Sequence, residues 1–65
     1  MKMDAQAQRL SCLASNRAWR RQAANLRQHV VLTHLPAEAR ATLRREAEAA
    51  DRQADMWLDG AIEAR

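Results

Sequence analysis

The chain is poor in the residues that build sheets, turns and covalent cross-links. Its 65 residues include no Phe and no Tyr, and Gly, Pro and Cys occur once each. Few aromatic residues disfavour strands, and few turn residues disfavour frequent changes of direction. A lone cysteine cannot form a disulfide within the chain. The composition therefore predicts an all-α protein, and we expect it in a reducing, cytoplasmic compartment.

Long apolar runs are also absent. The longest aliphatic stretch is Val30, Val31 and Leu32, far short of the roughly 18 residues that a membrane span requires. Residues 1–9 lack the apolar core of a signal peptide. We therefore expect neither a membrane segment nor secretion. Alanine and arginine are abundant, as a GC-rich genome would produce, and we expect a bacterial or phage protein.

The residues that carry catalysis or bind metals are few and badly placed. Cys12 and His29 would lie about 25 Å apart along one helix, too far to share a zinc ion. His29 and His34 would point to different sides of the chain. No cysteine or serine has a base within reach, and there is no glycine-rich phosphate loop. We expect no enzyme, no cofactor and no bound metal.

One strong break divides the chain, and it lies just before Pro36. Proline suits the first position of a helix, and Glu38 then falls in the first turn, where a negative charge is favourable. Residues before a proline avoid helical dihedral angles. The first helix should therefore end near Thr33, and a second helix should begin at Pro36.

These signals predict a single domain made of two helices. Asp4 is the expected N-cap of the first helix, because its carboxylate can accept from the free backbone amides. Gly60 weakens the second helix by about 1 kcal/mol relative to alanine, and we expect the helix to continue through it. The predicted ranges are 1–65 for the domain, about 4–33 for helix 1, about 34–36 for the turn and about 36–64 for helix 2.

Small and apolar residues recur in both halves at alternating spacings of four and three, which is typical of a coiled coil. In helix 2 they are Ala39, Leu43, Ala47, Ala50, Ala54, Trp57 and Ala61. In helix 1 they are Ala5, Cys12, Asn16, Trp19, Ala23, Leu26, Val30 and Thr33. A short connection makes the helices antiparallel neighbours. We expect an antiparallel, coiled-coil-like two-helix hairpin in which Trp57 fills the space beside the alanines.

One hairpin of this length has little core, so we expect a homodimer that forms a four-helix bundle. That shape resembles the small Rop-type hairpin dimers, which bind paired RNA loops. The resemblance is one of architecture, without a shared residue motif, and it implies no function by itself.

Charge is distributed unevenly, although the net charge is +3. The basic residues of the first half are Lys2, Arg9, Arg17, Arg20, Arg21 and Arg27, against Asp4 as the one acid. In helix 2 the acids Asp51, Asp55, Asp59 and Glu63 recur at every fourth position. The antiparallel alignment places Arg20 level with Asp51, Arg17 near Asp55, and Arg9 near Glu63. Arg21 and Arg27 have no acid level with them, and we expect them to be the spare charges.

Several apolar residues of helix 1 lie off the coiled-coil seam and among the arginines. Apolar side chains mixed with arginine are typical of protein interfaces, where Lys and Glu are depleted. The candidate partner-binding residues are Leu10, Leu13, Arg17, Arg20, Arg21 and Arg27. The sequence favours a protein that binds another protein and modulates it, as an adaptor or inhibitor of a regulatory or assembly protein. A role of Leu10 and Leu13 in the homodimer contact is the other interpretation of the same residues.

Nucleic-acid binding is the alternative function. Arginine suits phosphate, and the arginines of helix 1 would supply the contacts of an RNA- or DNA-binding regulator. The acids of helix 2 lie alongside in a thin molecule and would repel the same backbone. A helix lying on a membrane surface is the weakest interpretation, since helix 2 accounts for the apolar stripe of helix 1.

Overall fold

The computed structural model describes residues 4–64, which form two helices packed against each other. Helix α1 spans Ala5–Leu32 and helix α2 spans Ala37–Glu63. The Cα trace is a rod of 49 × 18 × 15 Å. The prediction of an all-helical hairpin is confirmed. Lys2, which the charge pattern included, lies outside the described residues.

Helix α1 begins where Asp4 caps it. The Asp4 backbone is extended, with φ −69° and ψ 163°, and its Oδ1 accepts from the Ala7 amide at 2.7 Å. The Asp4 carbonyl also accepts from the Gln8 amide at 3.0 Å. Because the first amides of a helix have no partner within it, the carboxylate satisfies one of them. The predicted N-cap is confirmed.

The connection between the helices is extended. Thr33 has φ −123° and ψ 146°, and its hydroxyl donates to the His29 carbonyl at 2.5 Å. Pro36 has φ −56° and ψ 156°, and its carbonyl accepts from the Arg40 amide at 3.0 Å. Pro36 is therefore the N-cap of α2 and not its first helical residue, because its ψ is still extended. Helix α2 then passes through Gly60 without a break, as predicted.

The helices run antiparallel with the predicted alignment. Cys12 of α1 lies beside Gly60 of α2, and Arg20 lies beside Asp51. Between these two contacts, the Asn16 amide donates to the Ala54 carbonyl at 2.7 Å. The bond joins a half-buried polar side chain to the backbone of the other helix.

The core between the helices consists of small side chains. Its buried residues are Cys12, Ala23, Ala47, Ala50, Ala54 and Ala61, and within residues 4–64 no large side chain is fully buried. Trp19 and Trp57 are 37% and 40% exposed. The prediction that Trp57 fills the seam is therefore wrong. Both indole rings therefore lie partly outside the contact between the helices.

Candidate interaction surfaces

The seam of small residues divides the surface of the hairpin into two flanks. Asn16 and Ala23 lie on the seam in α1, and Ala47 and Ala54 lie on it in α2. A residue four positions after a seam residue lies on one side of the seam, and a residue three positions after it lies on the other. The residues of each flank can therefore be assigned from their positions relative to the seam.

The charged flank is the side that contains Arg20 and Asp51. We use the name for Leu10, Leu13, Arg17, Arg20, Arg27 and Val31 of α1 with Arg44, Glu48, Asp51, Asp55, Leu58 and Ile62 of α2. The tryptophan flank is the opposite side. We use the name for Cys12, Ser15, Trp19, Gln22 and Leu26 of α1 with Leu43, Glu46, Ala50, Gln53, Trp57 and Gly60 of α2.

Three ion pairs bridge the helices along the charged flank. Arg20 approaches Asp55 at 3.1 Å and Asp51 at 3.8 Å. Arg27 donates to the other carboxylate oxygen of Asp51 at 2.5 Å. That hydrogen bond lowers the pKa of Asp51, with further contributions from the charges of Arg27 and Arg20. The same hydrogen bond raises the pKa of Arg27.

These contacts correct the predicted ion pairs. Arg27 is not a spare charge, because its long side chain reaches Asp51 from two turns beyond Arg20. Asp55 pairs with Arg20 and not with Arg17. No ion pair within residues 4–64 joins Arg9 to Glu63. Three arginines of α1 have no acidic partner in that part of the chain, and they are Arg9, Arg17 and Arg21.

An apolar groove lies on the charged flank at the open end of the hairpin, away from the connection. It has a volume of about 400 Å³ and is lined by Arg9, Leu13, Leu58, Ala61 and Ile62. Leu13 is half-buried, whereas Leu58 is 37% exposed. The groove therefore offers aliphatic carbon from both helices with a guanidinium at its border.

The structure separates the predicted partner-binding residues into three groups. Leu10, Leu13 and Arg17 lie at the open end, and Leu10 is 58% exposed. Arg20 and Arg27 lie further along the flank in ion pairs. Arg21 is exposed on the outer side of α1.

Sequence reasoning missed the two residues of α2 that complete the groove, Leu58 and Ile62. The heptad spacing contained the signal. Leu58 follows Asp51 by seven residues, and Ile62 follows Asp55 by seven. Residues seven apart share a side of the helix, so Leu58 and Ile62 lie on the same side of α2 as the acids that pair with Arg20.

A second groove of about 340 Å³ lies on the same flank nearer the connection. It is lined by Arg27, Val30, Val31, Arg44 and Glu48. Val31 is 81% exposed. This groove contains charged groups of both signs, so it is less apolar than the groove at the open end.

The tryptophan flank has a different character. On α1 every residue that defines this flank is uncharged, and on α2 Glu46 is the one charged residue among those that define it. The helices approach closely here, since a Cβ on Gly60 would lie 3.3 Å from Cys12 Sγ. Trp19 and Trp57 belong to the same flank and are each more than one-third exposed.

No group of three or more His, Cys, Asp or Glu side chains in the described part of the chain could hold a metal ion. Neither described helix is long and apolar enough to cross a membrane. The chain matches none of the protein families, curated proteins and solved structures compared with it.

Proposed function

We propose that this hairpin is a non-enzymatic protein that binds another protein and modulates it, as an adaptor or inhibitor. The observation that supports this most is the groove between Leu13 and Leu58 at the open end of the charged flank. Both helices contribute aliphatic side chains there, so a bound partner contacts the whole hairpin and not a single helix.

The charges around the groove define the partner's chemistry. Arg9 lines the groove, and Arg17 follows Leu10 by seven residues on the same side. Neither arginine has an acidic partner within residues 4–64, whereas Arg20 and Arg27 do. Arginine is enriched in interfaces and pairs well with carboxylates. The proposed partner surface is an apolar segment flanked by Asp or Glu.

The same contacts weaken the alternative that the chain is an RNA- or DNA-binding regulator. Two of the five arginines of α1 are already paired with acids of α2. A phosphate backbone following α1 would pass Asp51 and Asp55 within the same flank. The contacts therefore favour the protein partner.

A pair of double variants tests the proposal by affinity capture from the native host, with mass spectrometry of the captured proteins. Leu10→Asp with Arg17→Glu places acids at the open end, at two exposed positions. Leu32→Asp with Arg45→Glu makes the same chemical changes at exposed positions away from the groove. We expect a protein that the parent and the second variant capture and that the first variant loses at least about tenfold, equivalent to 1.4 kcal/mol.

Two results would contradict the proposal. The first is that every captured protein binds all three chains equally. The second is that the captured material is nucleic acid, released by nuclease and with an affinity that falls log-linearly with salt concentration. The second result would establish the nucleic-acid alternative.

A further inference from the structure

We infer that the tryptophan flank is the surface on which a second copy of this chain packs, giving a dimer of hairpins. The flank does not overlap the groove of the proposed protein partner, so this inference does not rest on the proposed function. It assigns the expected homodimer to one surface and leaves Leu10 and Leu13 free for another protein.

The exposed area of the single chain is larger than a compact monomer would have. The chain exposes 5219 Å², whereas a folded monomer of 7.4 kDa is expected to expose about 4,200 Å². A rod of 49 × 18 × 15 Å exposes more surface than a compact body of the same mass, so the elongated shape contributes to the excess of about 1,000 Å². A second rod packed along its side, with the roughly 800 Å² per partner of a standard interface, would reduce that excess.

Large apolar side chains are exposed on both flanks, and the two indole rings lie on the tryptophan flank. The buried residues between the helices are small. Of the larger seam residues, Trp19, Leu26, Leu43 and Trp57 belong to the tryptophan flank, whereas Val30 lines the second groove of the charged flank. On the tryptophan flank, Trp19 and Trp57 remain 37% and 40% exposed, and Leu26 and Leu43 are half-buried. In a four-helix bundle these are the positions that point to the common core. A second hairpin on this flank would bury both indole rings.

The low charge of the tryptophan flank favours a second copy of the chain as the molecule that binds there. In a twofold dimer the same patch faces itself, so like charges meet unless the patch is neutral or self-complementary. The tryptophan flank nearly meets that condition, because Glu46 is the one charged residue among those that define it. The open end of the charged flank does not, because Arg9 and Arg17 have no acidic partner within residues 4–64. A foreign acidic partner suits the charged flank, and an identical, nearly neutral surface suits the tryptophan flank.

The experiment places charge at the centre of the tryptophan flank. Gln22 and Gln53 are exposed glutamines, one on each helix. Gln22→Glu with Gln53→Glu should weaken dimerisation at least about tenfold, or 1.4 kcal/mol, because four carboxylates would enter a desolvated contact. Gln6→Glu with Gln28→Glu adds the same charge at exposed positions outside the flank and should leave the dimer unchanged. Sedimentation equilibrium measures the dissociation constant of each chain.

Mixing two variants of opposite charge tests the interface directly, because misfolded chains would not form a heterodimer. The Gln22→Arg, Gln53→Arg chain should also be monomeric alone, and an equimolar mixture with the double-Glu chain should form a heterodimer. Tryptophan emission of the parent should shift to shorter wavelength as its concentration rises, because the rings leave water. A parent that stays monomeric at about 100 µM, a control that dissociates as readily as the test variant, or a mixture that stays monomeric would each overturn the inference.

Discussion

The two flanks of the hairpin hold the same helices together by different means. On the charged flank, long side chains reach across the seam, and Arg20 and Arg27 converge on Asp51. On the tryptophan flank, small residues let the backbones approach, as at Cys12 and Gly60. Long flexible side chains can adjust when the separation of the helices changes, whereas close-packed small side chains cannot. The hairpin should therefore be rigid along one edge and adjustable along the other.

The largest loss of stability should come from adding side-chain volume on the tryptophan flank, where the backbones approach closely. Ala50 belongs to the tryptophan flank and is 3% exposed, so Ala50→Leu should overpack the contact and cost about 1 to 3 kcal/mol of unfolding free energy. Ala49→Leu adds the same group at an exposed neighbour and should cost little. Urea denaturation of both variants measures the difference. Equal costs would show that Ala50 does not lie in a close-packed contact.

A smaller effect should come from the glycine of the same edge. Gly60→Ala gains about 1 kcal/mol of helix propensity, but the new methyl would lie 3.3 Å from Cys12 Sγ. We expect the substitution to stabilise a Cys12→Ala chain more than it stabilises the parent. A thermodynamic cycle of the four chains, followed by thermal unfolding, measures this coupling. If Gly60→Ala has the same effect in both backgrounds, the close approach does not limit the packing.

The smallest effect should come from the adjustable edge, and it should depend on pH. The hydrogen bond from Arg27 lowers the pKa of Asp51 in the folded chain. The stabilisation from this group is therefore present above the ordinary aspartate pKa of about 3.9 and is lost as pH falls through the lower folded-state value. Both side chains are substantially exposed, so the contribution is small and screened by salt.

Denaturation of the parent and of Asp51→Asn from neutral pH to below pH 4 checks this expectation, since about 3.9 is the unfolded-state reference. The stability difference between the two chains should shrink as the pH falls. Arg27→Gln should reduce the same pH-dependent difference, because it removes the donor. A difference that stays constant across the titration would mean that the ion pair does not form in solution.

Periodicity sufficed to predict the helices and their alignment. The repeat of alanines in α2 fixed which side faces α1, and Pro36 fixed where the chain reverses. The cap by Asp4 followed from the preference of a carboxylate for free amides. These are local or repeating signals, and each depends on neighbouring residues or on one spacing rule.

The candidate sites were harder to predict because they depend on side-chain reach. The antiparallel alignment placed Arg17 near the level of Asp55. In the structure the Arg20 side chain extends along the hairpin and pairs with Asp55 instead. Arg27 was expected to be spare, and it bonds to Asp51 instead. The position of Trp57 failed for a different reason, since the spacing places a residue on the seam but does not give the distance between the helices.

The helices are covalently connected at one end only, and this has a consequence for local opening. Contacts near Pro36 close a short loop, whereas the Cys12–Gly60 contact closes a long one, which costs more chain entropy. Fraying should therefore begin at the open end, and amide hydrogen exchange should be fastest there and slowest toward the connection. The groove between Leu13 and Leu58 lies in the segment that frays first. A partner bound across both helices would hold that end closed, so its binding should be visible as a slowing of exchange in the first turns of α1 and the last turns of α2.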